Sequence, residues 1–157
     1  MCAIVDANVG HEVFGDAQSD AGRYFFEWLN RANGSRLAIG GKLREELGSN
    51  RNFLRWLSVA GRLGRTINVS DDRVEAETES LRADGVCRSN DEHVLALARL
   101  SGARLLFTND NDLQDDFRDR SIVGGVRGRI YTTSERTDVR RTHRDLLNRG
   151  DLCDIRG

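Results

Sequence analysis

The strongest constraint on the fold is a repeated pattern in which a short apolar segment is followed by a stretch with helical periodicity. The clearest apolar segments are 2–9, 36–39 and 104–108. Short runs that are apolar throughout are typical of strands buried on both faces, as in parallel sheets covered by helices. Their alternation with helices predicts an α/β domain, an α/β/α sandwich with a mainly parallel central sheet.

Helical spacing of apolar residues predicts the layers that cover this sheet. The segments with this spacing are 16–32, 42–47, 51–63, 70–83, 90–102, 113–117 and 142–147. Residues 66–69 are predicted as a strand or an extended connection, and residues 128–131 as a last strand. Ser89 and Glu92 have the spacing of a capping box, which places Asp91 in the first turn of its helix, where the helix dipole favours a charged carboxylate.

Length and charge together predict one domain with two differently charged parts. The 157 residues suffice for a single domain, 1–157, and carry a net charge of −1. Residues 118–157 contain ten arginines and six acids, so the remainder has an acidic excess. We therefore divide the domain into a core of about residues 1–117 and an arginine-weighted extension of about residues 118–157. Lys42 is the only lysine.

The cysteines and the apolar runs exclude several classes of protein. Cys2, Cys87 and Cys153 stand singly without C-x-x-C spacing, which predicts neither a disulfide framework nor a zinc site. The first apolar run is too short for a secretory signal, and no run approaches the ~18 residues of a membrane span. We therefore expect a cytoplasmic protein with no membrane association.

Carboxylates follow two of the predicted strands. Asp6 ends the first, with Asn8 two residues later, and Asp110 ends the strand 104–108. The carboxyl ends of parallel strands meet at one edge of a sheet, so these side chains are expected to lie close together. Glu46 borders the buried face of its helix, whereas Glu45 is turned away and is predicted to be solvated.

Carboxylates gathered in one pocket repel one another unless a cation compensates their charge. Oxygen ligands of high charge suit Mg²⁺ or Mn²⁺ better than zinc. Such ions orient and acidify water and neutralise a phosphodiester during in-line displacement. Convergence of the four acids would therefore predict a metal-dependent nuclease.

The order of these residues resembles the successive motifs of PIN-domain ribonucleases, over roughly residues 1–117. The matching segments are Ile4-Val-Asp-Ala-Asn8, Glu46-Leu47, Asn90-Asp91 followed by 94–98, and 105–113. The resemblance implies an α/β/α sandwich and a Mg²⁺- or Mn²⁺-dependent endoribonuclease. It implies catalytic roles for Asp6, Glu46, Asp91 and Asp110, metal ligation by Asp6, Asp91 and Asp110, and auxiliary roles for Asn8, Thr108 and Asp112.

Many small members of this family act as toxins, so the resemblance further implies an RNA substrate, a cognate antitoxin and a homodimer. A PIN-like nuclease that processes RNA or cuts structured DNA is the first alternative, and a catalytically silent interaction module is the second. An acidic pocket cannot attract RNA unaided, so we expect the arginine-weighted extension to bind RNA phosphates. The candidate residues are Arg127, Arg129, Arg140, Arg141 and Arg144.

Other phosphate and metal chemistries fit less well. No Walker A or G-x-G-x-x-G pattern is present. The segment that starts at Asp110 begins like a calcium loop, but Asp115 stands where that loop needs glycine. His11, His93 and His143 are isolated in the sequence and are predicted to be surface or structural residues.

Overall fold

A computed structural model describes residues 1–31, 34–133 and 138–154. These residues contain five strands that all pair in parallel, in the order β3-β2-β1-β4-β5. The predicted parallel sheet is therefore confirmed. The strands are β1 (Cys2–Val5), β2 (Arg36–Ile39), β3 (Thr66–Asn68), β4 (Leu105–Phe107) and β5 (Arg129–Tyr131).

Eight α-helices flank the sheet within the same described ranges, which confirms the α/β class. No helix among these residues has both the length and the apolar character needed to cross a bilayer. The run 2–9 is shorter as a strand than predicted, because the chain leaves β1 at Val5 and forms a 3-10 turn over Ala7–Val9. The helices are α1 (Gly10–Phe14), α2 (Asp20–Leu29), α3 (Gly41–Leu47), α4 (Arg51–Ala60), α5 (Asp71–Asp84), α6 (Glu92–Ser101), α7 (Asn111–Arg118) and α8 (Arg141–Leu147).

The helices pack in two groups. The ring of Phe14 in α1 contacts Phe26 of α2 and both Phe53 and Trp56 of α4, with centroid distances of 5.2–5.9 Å. Helices α3, α5 and α6 pack against one another, and α6 also contacts β2. The arrangement is consistent with the predicted α/β/α sandwich.

Aromatic side chains join the sheet to the first group of helices. Phe25 of α2 packs on Phe107 of β4 and Tyr131 of β5, with centroid distances of 5.3 and 5.2 Å. All three side chains are completely buried. Burial of a side chain of this kind stabilises a fold by about 1.5–3 kcal/mol. The aromatic cluster of Phe25, Phe107 and Tyr131 therefore holds the carboxyl ends of β4 and β5 in place, where the loops begin.

The described part of the chain after residue 118 packs against the rest of the fold. It supplies the edge strand β5, which pairs with β4, and helix α8, which packs against α2. The indole Nε1 of Trp28 donates a hydrogen bond to the carbonyl of Leu147 at 2.9 Å. The strand predicted at 128–131 and the helix predicted at 142–147 are thus confirmed.

A glycine allows α3 to approach α5. Gly41 has a φ of +60°, and a Cβ there would lie 2.6 Å from Cγ1 of Val74. Its backbone N–H donates to Oδ1 of Asp71 at 2.8 Å. Any larger residue would be strained and would push the helices apart, so this position fixes the start of α3.

The prediction of no disulfide is wrong. Cys2 and Cys153 form a disulfide with a Cα–Cα distance of 5.3 Å, while Cys87 stays a half-buried free thiol. The C-terminal segment returns beside the amino end of β4, where Ala103 and Cys153 form an antiparallel bridge. The N–H of Arg104 donates to the carbonyl of Leu152 at 3.0 Å. Sequence spacing could not show this return.

The predicted capping box is also wrong. Helix α6 begins at Glu92, and its N-cap is Asp91, whose side chain makes no capping hydrogen bond. The N–H groups of Arg88 and Ser89 instead donate to the buried carboxylate of Asp116 in α7, at 2.9–3.0 Å. Asp116 therefore organises the loop that carries Asp91.

Candidate active site

The candidate site lies where the strand order reverses. Strand β1 is followed in sequence by β2 on one side, while β4 pairs on its other side. Open parallel sheets form their ligand-binding crevice at this point, beyond the carboxyl ends of the strands. Asp6 leaves β1 here, and its N–H donates to the carbonyl of Phe107 at the end of β4 at 2.9 Å.

Asp6 is the most enclosed carboxylate of the site, with 5% of its surface exposed. Its Oδ2 accepts a hydrogen bond from the Thr108 hydroxyl at 2.7 Å. Burial raises the pKa of Asp6, and the neighbouring carboxylates of Asp91 and Glu46 raise it further. The Thr108 hydrogen bond and the Ala7 backbone lower this pKa without cancelling the rise.

Thr108 connects the two strand ends. It is completely buried, donates to Asp6 and accepts a hydrogen bond from the N–H of Asp110 at 3.1 Å. The side-chain amide of Gln114 in α7 donates to the Thr108 carbonyl at 3.1 Å. Since its hydroxyl is held from both sides, Thr108 sets the orientation of the Asp6 carboxylate.

Asp91 is half-buried, and its pKa is raised. Burial is the largest cause, and the carboxylates of Asp110 and Glu46 add to the rise. His93 and the exposed Lys42 at the start of α3 lower this pKa. The sequence placed Asp91 in the first turn of its helix, but it is the N-cap of α6, and its pKa is raised by burial and by neighbouring negative charges.

Glu46 and Glu45 lie on different faces of α3, as the sequence predicted. Glu46 is half-buried and close enough to raise the pKa of both Asp6 and Asp91, whereas Glu45 is exposed. Of the two glutamates, Glu46 is therefore the one that shares the site with both aspartates.

The contact that sequence reasoning missed is with His93 in α6. Its Nε2 lies 2.6 Å from Oε1 of Glu46, and only 3% of its surface is exposed. Its Nδ1 atom is buried, and no described residue forms a hydrogen bond with it. The one signal available in the sequence was its position two residues after Asp91, which did not distinguish it from a structural histidine. A role beside Glu46 becomes visible only in three dimensions.

The other predicted residues lie nearby but differ in their contacts. Asp110 is the N-cap of α7, and its Oδ1 accepts from the N–H of Leu113 at 3.1 Å. Asp112 is exposed in the first turn of α7, and Asn8 is exposed in the 3-10 turn after Asp6. Glu46 and Asp91 thus act electrostatically on Asp6, and Asp110 acts on Asp91, while Asp112 and Asn8 are exposed.

A second set of hydrogen bonds, made by Asn109, stabilises the segment that follows β4. The Asn109 side-chain amide donates to Glu12 of α1 at 3.2 Å and to the Thr133 hydroxyl at 3.1 Å. Its carbonyl oxygen accepts from the Thr132 hydroxyl at 2.8 Å and from the Thr133 N–H at 2.9 Å. Asn109 therefore ties α1 and the loop after β5 to the segment that carries Thr108 and Asp110. These contacts join residues too distant in sequence for any local pattern to predict.

Two of the predicted phosphate-binding arginines lie at the edge of the sheet away from the carboxylates. Arg127 and Arg129 are exposed at the amino end of β5, the edge opposite the carboxyl ends of the strands. Arg140 is the N-cap of α8, Arg141 pairs with Asp145 at 3.8 Å, and Arg144 is exposed on α8.

The donor chemistry of the site fits a hard divalent cation, since every candidate ligand atom is a carboxylate oxygen. The pKa values of Asp6 and Asp91 are raised mainly by burial and further by neighbouring negative charges, and such a cation would compensate those charges. As placed in residues 1–31, 34–133 and 138–154, however, no three His, Cys, Asp or Glu side chains are grouped closely enough to hold a metal ion.

Comparison with known proteins adds no relative: no family model, no curated protein and no solved structure matches this chain. The fold and the site define an α/β protein whose parallel sheet carries electrostatically coupled carboxylates at the reversal of its strand order.

These pKa shifts predict a pH-dependent stability. Asp6 and Asp91 have higher pKa values in the folded protein than the ~3.9 of an unperturbed aspartate, so the folded state binds protons more tightly than the unfolded chain. Their contribution to the free energy of unfolding should therefore fall as the pH rises from about 4 through the raised pKa values, and then become constant.

Urea unfolding of the metal-free protein across this range measures the effect. The double variant Asp6→Asn/Asp91→Asn should lose this decline, whereas the exposed-site control Asp112→Asn should keep it. If the free energy of unfolding depended on pH in the same way in the double variant and the wild type, the two carboxylates would not be the cause of the decline.

Proposed function

We propose that the protein is a metal-dependent endoribonuclease of the PIN-domain type. The observation that carries the proposal is the position of Asp6. This carboxylate is buried at the end of the central strand, where the strand order reverses, and two further carboxylates are close enough to raise its pKa. A fold tolerates buried like charges mainly where they serve a function, such as binding a cation.

Asp6, Asp91 and Asp110 are the residues that would hold Mg²⁺ or Mn²⁺. Their oxygen-only donor set and their excess negative charge suit such an ion. When bound, it would lower the pKa of a water molecule and neutralise charge on the phosphodiester. Thr108 contributes by holding Oδ2 of Asp6 in one orientation at 2.7 Å.

Glu46 is the group we assign to proton transfer. It borders the same crevice but contacts His93 at 2.6 Å, which fixes its carboxylate relative to α6. A carboxylate held in this way can accept a proton from the attacking water while the phosphodiester bond breaks. Asp112 and Asn8, both exposed, would act from the rim of the crevice.

The order of the four sequence motifs supports the PIN assignment, and with it an RNA substrate, a toxin role, a cognate antitoxin and a homodimer. Growth arrest on expression that the product of an adjacent small gene relieves would support the toxin role over RNA processing or cleavage of structured DNA. The second candidate function is a catalytically silent interaction module. It is favoured by the absence, among the described residues, of three side chains grouped to hold a metal.

Glu46→Gln and Glu45→Gln form a matched pair that tests the enzyme proposal. End-labelled RNA is incubated with Mn²⁺ or Mg²⁺, and with EDTA as the blank. Glu46→Gln should slow cleavage by about 10²–10⁴-fold, the usual cost of losing a general base. Glu45→Gln should cleave like the wild type, because Glu45 is exposed and faces away from the aspartates.

One result would contradict the enzyme proposal, and another would contradict only the role of Glu46. Wild-type protein that cleaves no faster with metal than with EDTA would favour the silent module. Equal rates for Glu46→Gln and the wild type would remove Glu46 from the mechanism but leave the enzyme proposal in place.

A further inference from the structure

Two clefts that share lining residues lie along the junction of α3 and α4, and together they are called the groove. The inner part is a cleft of about 170 Å³ lined by Ala7, Glu46, Ser49 and Asn50, among others. Glu46 is the site carboxylate that lines this cleft, and Ala7 directly follows Asp6 in the chain.

The outer part of the groove is a cleft of about 540 Å³. Ser49 and Asn50 line both clefts, so the two are joined at these residues. Beyond the junction the outer cleft is lined by Arg51 and Arg55 of α4. The two adjoining clefts therefore lead from Glu46 to two arginines.

These two arginines have no acidic partner among the described residues. Both are exposed, and within the part of the chain that the structure describes neither guanidinium has a hydrogen bond or an ion pair. Arg99, by contrast, is bound to Glu77 at 2.8 Å. The one carboxylate among the described residues of the outer cleft, Asp16, accepts a hydrogen bond from Asn52 at 3.0 Å. The outer cleft thus has a net positive charge and two cationic groups available to a ligand.

The spacing of the arginines suits a polyanion. Residues four apart lie on the same face of a helix, about 6 Å apart along its axis. This is comparable to the separation of neighbouring phosphates along an extended nucleic-acid strand. Guanidinium groups bind phosphate oxygens with two parallel hydrogen bonds, which makes arginine the favoured residue for such contacts.

We propose that Arg51 and Arg55 bind consecutive backbone phosphates of single-stranded RNA and guide the strand into the carboxylate crevice. This inference rests on the proposed function. The two arginines have the spacing of neighbouring phosphates along one strand, which favours a single strand as the ligand. The carboxylates of the site repel RNA phosphates, and the arginines offset this repulsion because they supply positive charge nearby.

The groove differs in position from Arg127 and Arg129, two of the arginines that the sequence suggested. Arg127 and Arg129 are as exposed as the groove arginines, but they lie at the amino edge of the sheet, away from Asp6 and Glu46. They therefore provide a matched control with the same change of charge.

RNA binding is measured by fluorescence anisotropy in the presence of Mn²⁺, in a Glu46→Gln background that prevents turnover. Arg51→Gln/Arg55→Gln should raise the Kd for a labelled single-stranded RNA about tenfold. The slope of log Kd against log salt concentration should fall by about 0.7 per arginine removed. Arg127→Gln/Arg129→Gln should change neither quantity, and the charge-retaining Arg51→Lys/Arg55→Lys should preserve the salt slope.

Cleavage assays in the wild-type background complete the test. The groove variant should raise KM and leave kcat unchanged, because it alters binding and not the reacting groups. Equal losses in both glutamine double variants would show non-specific attraction, and no loss in the groove variant would remove the groove from the RNA path. In either case cleavage by the wild type would leave the proposed function standing. Wild-type protein that neither binds nor cleaves RNA would overturn both.

Discussion

Asp6→Asn is expected to reduce RNA cleavage by at least about 100-fold and, at neutral pH, to raise the melting temperature of the metal-free protein. The amide keeps the size of the side chain and can still accept the hydrogen bond from Thr108. It carries no charge, so it removes a ligand for a cation and also removes the repulsion among buried carboxylates. Activity and stability should therefore change in opposite directions.

The opposite signs distinguish a functional carboxylate from a structural one. Calorimetry in EDTA and again with Mn²⁺ measures the melting temperature, and Mn²⁺ should raise that of the wild type more than that of the variant. Asp112→Asn, an exposed change in the first turn of α7, is the control and should leave the melting temperature unaltered. A lower melting temperature in Asp6→Asn would mean that the carboxylate stabilises the fold.

Cys153→Ser is expected to lower the free energy of unfolding by about 2–5 kcal/mol. The disulfide joins residues 151 positions apart, so it restricts nearly the entire unfolded chain. Cleavage should be unaffected, because Cys2 begins β1 at the edge of the sheet opposite Asp6.

Denaturant unfolding with and without a reductant measures the effect. Reduction of the wild type should reproduce the Cys153→Ser midpoint and should not shift that of the variant itself. Cys87→Ser, which removes a half-buried thiol outside the disulfide, is the control and should respond to reductant like the wild type. An unchanged wild-type midpoint after complete reduction would contradict the prediction.

The sequence was most informative where local pattern and burial agree. The strand predicted at 36–39 is β2, in which Leu37, Ala38 and Ile39 are completely buried. The edge strand β3 gave a weaker signal, because its residues are only partly buried and need not be apolar. Local pattern carries no information on strand order, so the position of β1 at the centre of the sheet emerged only from the structure.

In the candidate site, too, the sequence indicated some residues, and others depended on tertiary contacts. Asp6 was identifiable because a carboxylate rarely ends an apolar strand, and Glu46 was distinguishable from Glu45 by its position on a helical face. The capping box at Ser89 failed because Asp116, 27 residues further along the chain, binds the same backbone N–H group. His93 was missed because its partner Glu46 lies on another helix. Tertiary contacts decide these cases, and no local sequence signal reports them.

Lys42 places a reactive amine at the crevice. It is exposed at the start of α3, close enough to lower the pKa of Asp91, and all the other basic side chains apart from histidine are arginine. Amine-reactive reagents would therefore modify one side chain in the protein besides the terminal amine. A fluorophore attached to this ε-amine would lie at the rim of the carboxylates and could report the arrival of a cation or a nucleic-acid strand without an engineered cysteine.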